Sequence, residues 1–227
     1  MAAVAAQAYF DTDAYLRNDT IIPVRARLVR ELLGDLSGVR LLDAGCGDGS
    51  LSSQFLDRPN SVTMLDFSER MLERARASVR PAGSGATVEF VRADLLAYEP
   101  QAPYDVVLCV GLLAHVPDPA AAIEKVAALV AVGGRCVVQF NDDDQLANRL
   151  VYRYLSWRGQ PYALNRTTRR DLFEALLRAG LRPLAARRYG FVVPGVGKLR
   201  RRDVVRLQHL VARTGLGLQT LVLCERS

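Results

Sequence analysis

Lysine, histidine and tryptophan are almost missing from this chain of 227 residues, and cysteine is scarce. Cys46, Cys109, Cys136 and Cys224 stand far apart and form no C-x-x-C pair, so neither a zinc ribbon nor a disulfide framework is indicated. They read as small buried hydrophobes. No apolar run approaches the roughly 20 residues that a membrane span needs. The N-terminal MAAVAAQA lacks both the basic flank and the hydrophobic length of a secretory signal. A cytoplasmic protein is the expectation. Only Lys125 and Lys198 are lysines, so the net charge of +6 comes from arginine and not from a lysine-rich binding tail.

What is present is an alternation of two periodicities, on a length that suits one domain over residues 1–227. Ile21 to Leu36 has helical spacing, with Val24, Leu28 and Leu32 on one face and Arg25, Arg30 and Glu31 away from it. The spacing then predicts a strand at Val39–Leu42, a helix at Leu51–Leu56 and a strand at Ser61–Leu65. A helix at Glu69–Val79 follows, capped by Ser68. Further strands fall at Thr87–Val91, Tyr104–Val110 and Arg135–Phe140, with a helix at Pro119–Val130 closed by Gly133. A helix at Arg169–Ala179 ends at Gly180, and two last strands lie near Arg182–Val193 and Leu216–Glu225. This order predicts an α/β fold: a Rossmann-like, doubly wound, seven-stranded and mostly parallel sheet with helices on both faces and the last strand antiparallel.

The segment Leu41 to Gly49, LLDAGCGDG, carries the most chemical information. An apolar strand runs into an acid and three alternating glycines, whose missing Cβ atoms let backbone approach a ligand closely. A dinucleotide fingerprint would read G-x-G-x-x-G, but here Ser50 occupies the place of the third glycine. Asp43, two residues before Gly45, would repel a pyrophosphate and attract a cationic group. Asp66 and Asp94 each follow a predicted strand as well. All three carboxylates therefore line one edge of the sheet, where doubly wound folds bind ligands.

With an acid followed by x-G-x-G-x-G after the first strand, the chain resembles the class I S-adenosylmethionine-dependent methyltransferases, in particular small-molecule, ubiquinone-pathway-like members. The resemblance runs from about Val39 to Phe140. It implies S-adenosyl-L-methionine as cofactor, with Asp43, Gly45, Cys46 and Gly47 at the glycine loop and Val110 after the fourth strand. Asp66 is placed to accept from the ribose hydroxyls. Asp94 resembles the acid that accepts from the adenine amine, with the Leu95 backbone at the ring edge. Phe67 and Met71 pack either against adenine or ribose or into the core beneath.

LCVGLLAHVPDP, Leu108 to Pro119, resembles the segment bordering the transferable methyl. His115 is its candidate catalytic residue, a general base for a hydroxyl acceptor; the other reading has it packing beside the helix that follows. AYFDT at 8–12 together with Tyr15 resembles a lid, so lid helices are expected at about 1–36, and Tyr9 and Tyr15 are candidate substrate-binding residues. Asn141 to Asp144 reads as capping and dipole compensation, not as a metal site, because the companion acid after the fourth strand is absent.

The chain has no N-P-P-Y or D-P-P-Y segment and no Pro-Cys pair, which disfavours a nucleic-acid base as acceptor. An aromatic insertion at about 144–168 holds Tyr152, Tyr154, Trp157 and Tyr162. The four-residue recurrence of Leu146, Leu150 and Tyr154 turns that face inward, leaving Trp157 and Tyr162 to line a substrate pocket. A basic helix at about 198–213 reads as a solvated connection between the last strands, ahead of a membrane-surface or acidic-substrate contact. The expected function is methyl transfer to a small molecule, most readily an oxygen of an aromatic or polyketide-like metabolite in secondary or quinone metabolism. N- or C-methylation, and a catalytically silent cofactor-binding partner subunit, stay open. So does homodimer formation.

Overall fold

Strands and helices alternate in the order the sequence predicts, and their faces divide the core into two halves. The computed structural model describes residues 20–80, 83–144, 149–150, 153, 157, 165–190, 201–215 and 217–227. Its strands are β1 (Arg40–Ala44), β2 (Ser61–Asp66), β3 (Thr87–Arg92), β4 (Tyr104–Cys109), β5 (Val130–Asn141), β6 (Leu181–Tyr189) and β7 (Gln219–Arg226). They form one sheet in the order β3-β2-β1-β4-β5-β7-β6. β1 to β5 pair in parallel, while β7 runs antiparallel to both of its neighbours.

The helices are α1 (Ile22–Leu33), α2 (Glu69–Ser78), α3 (Pro119–Leu129), α4 (Arg169–Arg178) and α5 (Arg201–Thr214). Because successive strand side chains point to opposite faces, Val106 and Leu108 join one core with Val24 and Leu28 of α1 and Leu72 of α2. Val107 and Cys109 join the other, with Ile123 and Val126 of α3 and Leu172 and Leu176 of α4. Leu176 is fully buried. Truncating it to alanine would cost about 2–5 kcal/mol.

The caps follow the side chains available. Ser68 accepts from Met71 N at the start of α2, Asp118 Oδ1 accepts from Ala120 N and Ala121 N at the start of α3, and Thr168 Oγ1 accepts from Asp171 N at the start of α4. At the end of α4, Gly180 N donates to Leu177 O, as expected of a helix closed by glycine.

Of the boundaries that differ from the sequence reading, three have a clear physical cause. The segment predicted as a helix at Leu51–Leu56 is a 3-10 turn over Ser52–Asp57. Arg58, preceding Pro59, is held extended at φ −129 and ψ 162, and so leaves too few residues for an α-helical ladder. α3 is not closed by Gly133. It stops at Leu129 because the buried, β-branched Val130 already pairs with Tyr104, and Gly133 lies inside β5 at φ 75. β6 ends at Tyr189, next to Gly190 at φ 78, short of the predicted Val193.

Candidate functional site

The glycine loop leaves β1 with Gly45, Gly47 and Gly49 at φ 76, 57 and 74, backbone that L-residues with a Cβ rarely adopt. Gly45 N and Cys46 N both donate to Leu65 O, at 2.8 and 3.0 Å, which ties the loop to the end of β2. At Gly49 a Cβ would lie 2.7 Å from Val79 Cγ2, so this glycine also permits α2 to pack against the loop.

The two carboxylates at this edge are used differently. Asp66 Oδ2 accepts from Gly47 N and Oδ1 from Ser68 N, both at 2.9 Å. The Phe67 backbone supports the same carboxylate. Burial raises the Asp66 pKa, and these backbone donors oppose the rise. Asp43 is only 1% exposed, and among the described residues its Oδ2 has no hydrogen-bond partner of ordinary geometry. Burial pushes its pKa up to about 7; the nearby Ser52 hydroxyl offsets part of that rise, and the charges of Asp66 and Asp48 add to it. A buried carboxyl so thinly supported is costly, and a donor from a ligand would relieve it.

Asp43 lines a cleft of about 30 Å³ together with Arg25, Cys46, Gly47 and Val110. Arg25 is the residue that sequence reasoning missed. Helical spacing turned it away from the apolar face of α1, yet its Nε donates to Tyr189 Oη at 2.9 Å and its Nη2 to Gln219 Oε1 at 3.3 Å. No local signal pointed to this, because the two partners lie far along the chain on β6 and β7. Leu112 stands over the loop, 3.1 Å from where a Gly45 Cβ would be. Cys46 is buried, and desolvation beside Asp43 raises its thiol pKa far above the ordinary value.

Asp94 caps the short turn Leu95–Ala97, its Oδ1 accepting from Leu96 N at 2.9 Å, and its carboxylate is exposed at the sheet edge. Leu95 is buried beneath it. Phe67 is half-buried beside the β2 edge, whereas Met71 is 1% exposed and packs under α2.

His115 sits in the β4–α3 connection, half-buried. That connection is pinned from the far side by Asn165, whose Nδ2 donates to Leu113 O and Val116 O and whose N donates to Ala114 O. Burial, with the nearby positive charge of Arg25, lowers the His115 pKa to about 4, so the imidazole is neutral at physiological pH. Leu113 and Ala114 also form a wall of a cavity of about 390 Å³ between α3 and α4, with Phe140 and Asn165.

Asn141 to Asp144 has protein partners. Asp142 pairs with Arg188 at 3.2 Å, Asp143 pairs with Arg166 at 3.0 Å, and Asp144 Oδ2 accepts from Arg169 N, the first residue of α4. Trp157 is 79% exposed. Tyr9, Tyr15, Tyr152, Tyr154 and Tyr162 lie outside the described residues.

Residues 41–134 match the family model described as a methyltransferase domain. The chain is 39% identical over 114 residues to a ubiquinone biosynthesis O-methyltransferase of Nitrosomonas europaea, covering 50% of this chain and 48% of that protein. Its likeness to the Bordetella avium protein of the same description is 41% over 116 residues, covering 50% and 47%. The chain thus spans about half the length of the curated relatives it matches. Among solved structures, it resembles the magnesium protoporphyrin IX methyltransferase of Synechocystis with bound S-adenosylhomocysteine. The TM-score is 0.64 and the identity 22%, over 99% of this chain and 84% of that one. It also resembles an N-methyltransferase of Bradyrhizobium japonicum in complex with S-adenosylhomocysteine, with TM-score 0.67 and 15% identity over 99% and 98%. At these identities the likeness is one of fold. Matched segment, relatives and fold agree: residues 41–134 resemble a methyltransferase domain, in a chain whose fold is that of methyltransferases of known structure.

Proposed function

We propose that this protein binds S-adenosyl-L-methionine and transfers its methyl group to a small-molecule acceptor, preferentially at oxygen. The observation that carries the reading is the pairing of opposite charges in one cleft. Asp43 offers a buried carboxyl that, among the described residues, has no donor of ordinary geometry and only the nearby Ser52 hydroxyl to offset its burial, and Arg25 brings a guanidinium to the same space. A zwitterionic amino-acid group needs both, its ammonium beside Asp43 and its carboxylate beside Arg25. Phosphate would meet Asp43, Asp66 and Asp94 along the edge. These residues fit the methionine end of the cofactor, with Asp66 bringing its carboxylate to the end of β2 for the ribose hydroxyls and Asp94 an exposed carboxylate for the adenine amine.

When bound, the cofactor supplies a methyl group already activated on a sulfonium. The protein's part is then to hold the acceptor in line and to take its proton. His115, neutral at physiological pH, can accept that proton and is the proposed general base. With its pKa at about 4 it is a weak one, suited to an acceptor that is itself acidic, such as a phenol. The ubiquinone-pathway relatives support an oxygen acceptor. The cavity of about 390 Å³ beside the His115 segment is in the range of small-molecule pockets, about 300–1,000 Å³. Trp157, Tyr162, Tyr9 and Tyr15 remain proposed acceptor contacts.

Isothermal calorimetry with S-adenosylhomocysteine and, separately, NAD tests the reading. Heat with the first and none with the second is expected. Binding of NAD alone would overturn it. Transfer of labelled methyl from the cofactor to a panel of phenols and amines would then identify the acceptor atom.

A further inference from the structure

Arg25 is held by a device that its own helix does not contain. Its Nε donates to Tyr189 Oη at 2.9 Å, its Nη2 to Gln219 Oε1 at 3.3 Å, and its guanidinium carbon lies 5.8 Å from the centre of the Tyr189 ring. Tyr189 and Gln219 face one another as register partners at the joined ends of β6 and β7, and Tyr189 is fully buried. Both acceptors are therefore carried by paired backbone and not by loops.

Three glycines admit this arrangement. A Cβ at Gly217 would lie 2.2 Å from Tyr189 N, so the chain entering β7 presses directly on the Tyr189 backbone. A Cβ at Gly190 would lie 2.8 Å from Ile21 Cδ1, which lets the start of α1 settle onto the corner. At Gly111, after β4, a Cβ would lie 3.3 Å from Arg25 Nη1, so the guanidinium rests over the end of the strand that leads to His115.

We infer that Tyr189 and Gln219 are positioning residues: they fix the Arg25 guanidinium over Gly111, in the orientation that receives the α-carboxylate of the methyl donor. The inference rests on the cofactor reading above and adds to it the two residues that make Arg25 selective. A free arginine side chain samples many rotamers, and holding it before binding removes much of that entropic cost from the binding step. The Tyr189 hydroxyl accepts from Arg25 without cancelling its charge, as a carboxylate in the same place would.

The test compares two ligands by calorimetry. S-adenosylhomocysteine carries the amino-acid group, and 5′-methylthioadenosine keeps the adenosine and the sulfur but lacks that group. Tyr189→Phe should weaken S-adenosylhomocysteine about tenfold and 5′-methylthioadenosine less than about twofold. Gln219→Leu should show the same selectivity at about threefold, which guards against a folding defect in the first variant. In an Arg25→Ala background, Tyr189→Phe should have no further effect on either ligand. Parallel losses for both ligands, no loss for S-adenosylhomocysteine, or additive losses with Arg25→Ala would each overturn the inference. Failure of the unmutated protein to bind either ligand would instead overturn the cofactor reading itself.

Discussion

The glycine-loop end of the sheet and the β6–β7 corner both bring charge to one cleft, but they do so by opposite means. At the loop end, Asp43, Gly47 and Asp66 come from two neighbouring parallel strands and the turn between them, and most contacts run from carboxylate to backbone. At the corner, Arg25 is held by side chains 164 and 194 residues away, on an antiparallel pair. The first kind of site is written in a short motif and tolerates little variation in backbone. The second is written in packing, and depends on glycines whose role becomes visible only when strands meet.

The sharpest way to break this contrast is at Gly217. A Cβ there would lie 2.2–2.3 Å from three backbone atoms of Tyr189, and backbone cannot turn aside as a side chain can. Gly217→Ala should lower stability by about 3 kcal/mol or more in urea unfolding. Among the described residues Gly47 has nothing within 4 Å of its would-be Cβ, and its φ of 57 is what opposes substitution there. Gly47→Ala should therefore cost about 1 kcal/mol. Equal costs at the two positions would remove the distinction between a backbone-limited loop and a packing-limited corner.

Next in size is Asp43. Replacing it with asparagine keeps the shape and removes the charge, and should weaken S-adenosylhomocysteine about 100-fold, or about 2.7 kcal/mol. Stability should move the other way. The folded pKa of about 7 stands above the ordinary 3.8, so the stabilising contribution of protonated Asp43 is complete below about pH 4 and is lost as pH rises through 7. At pH 8 the asparagine variant without ligand should melt higher than the parent, with an upper bound of about 4 kcal/mol on the gain. At pH 4 the difference should shrink. Cofactor affinity of the parent should fall as pH drops below 7. A variant that melts lower at pH 8 would show that Asp43 is structural and not a ligand residue.

These two sites also measure what could be read in advance. The sheet, its strand order class and the Ser68 cap follow from periodicity and side-chain chemistry, and LLDAGCGDG located the loop because its residues are contiguous. The Leu51–Leu56 helix was misread because Pro59 acts backwards through Arg58, and the end of α3 because the pull of β4 on Val130 is tertiary. Arg25 was assigned to the outer side of α1 from spacing alone. A helix whose end reaches over a ligand cleft has two buried sides there, one apolar and one polar, and a one-face pattern cannot represent the second.

His115 lies between the two regions, on the connection after β4. His115→Gln should lower kcat about 10- to 100-fold and leave S-adenosylhomocysteine affinity within about twofold. The small size of the effect follows from the depressed pKa, since a base that titrates near 4 has little thermodynamic pull on an acceptor proton. For the same reason any loss of rate between pH 8 and 6 belongs to Asp43 and should persist in the variant. Unchanged turnover would return His115 to simple packing beside α3.

The smallest effect is expected at α5, which borders the corner but turns its charge outward. Val204 and Gln208 are buried toward the body of the protein, while Arg202 and Arg206 are 67% and 79% exposed and reach Asp203 only at 3.9 Å. Ion pairs so exposed and so long contribute little. Replacing both arginines with glutamine should change stability by no more than about 0.5 kcal/mol. Leu207 and Leu210 share the outer side at 37% and 57% exposure, too little apolar surface for interfacial anchoring when the helix spends its main apolar face on the protein. Sedimentation with anionic phosphatidylglycerol vesicles should accordingly show no salt-sensitive binding in either parent or variant. Binding that disappears with the arginines would extend the comparison outward, making the corner a site that grips one ligand inside and a charged surface outside.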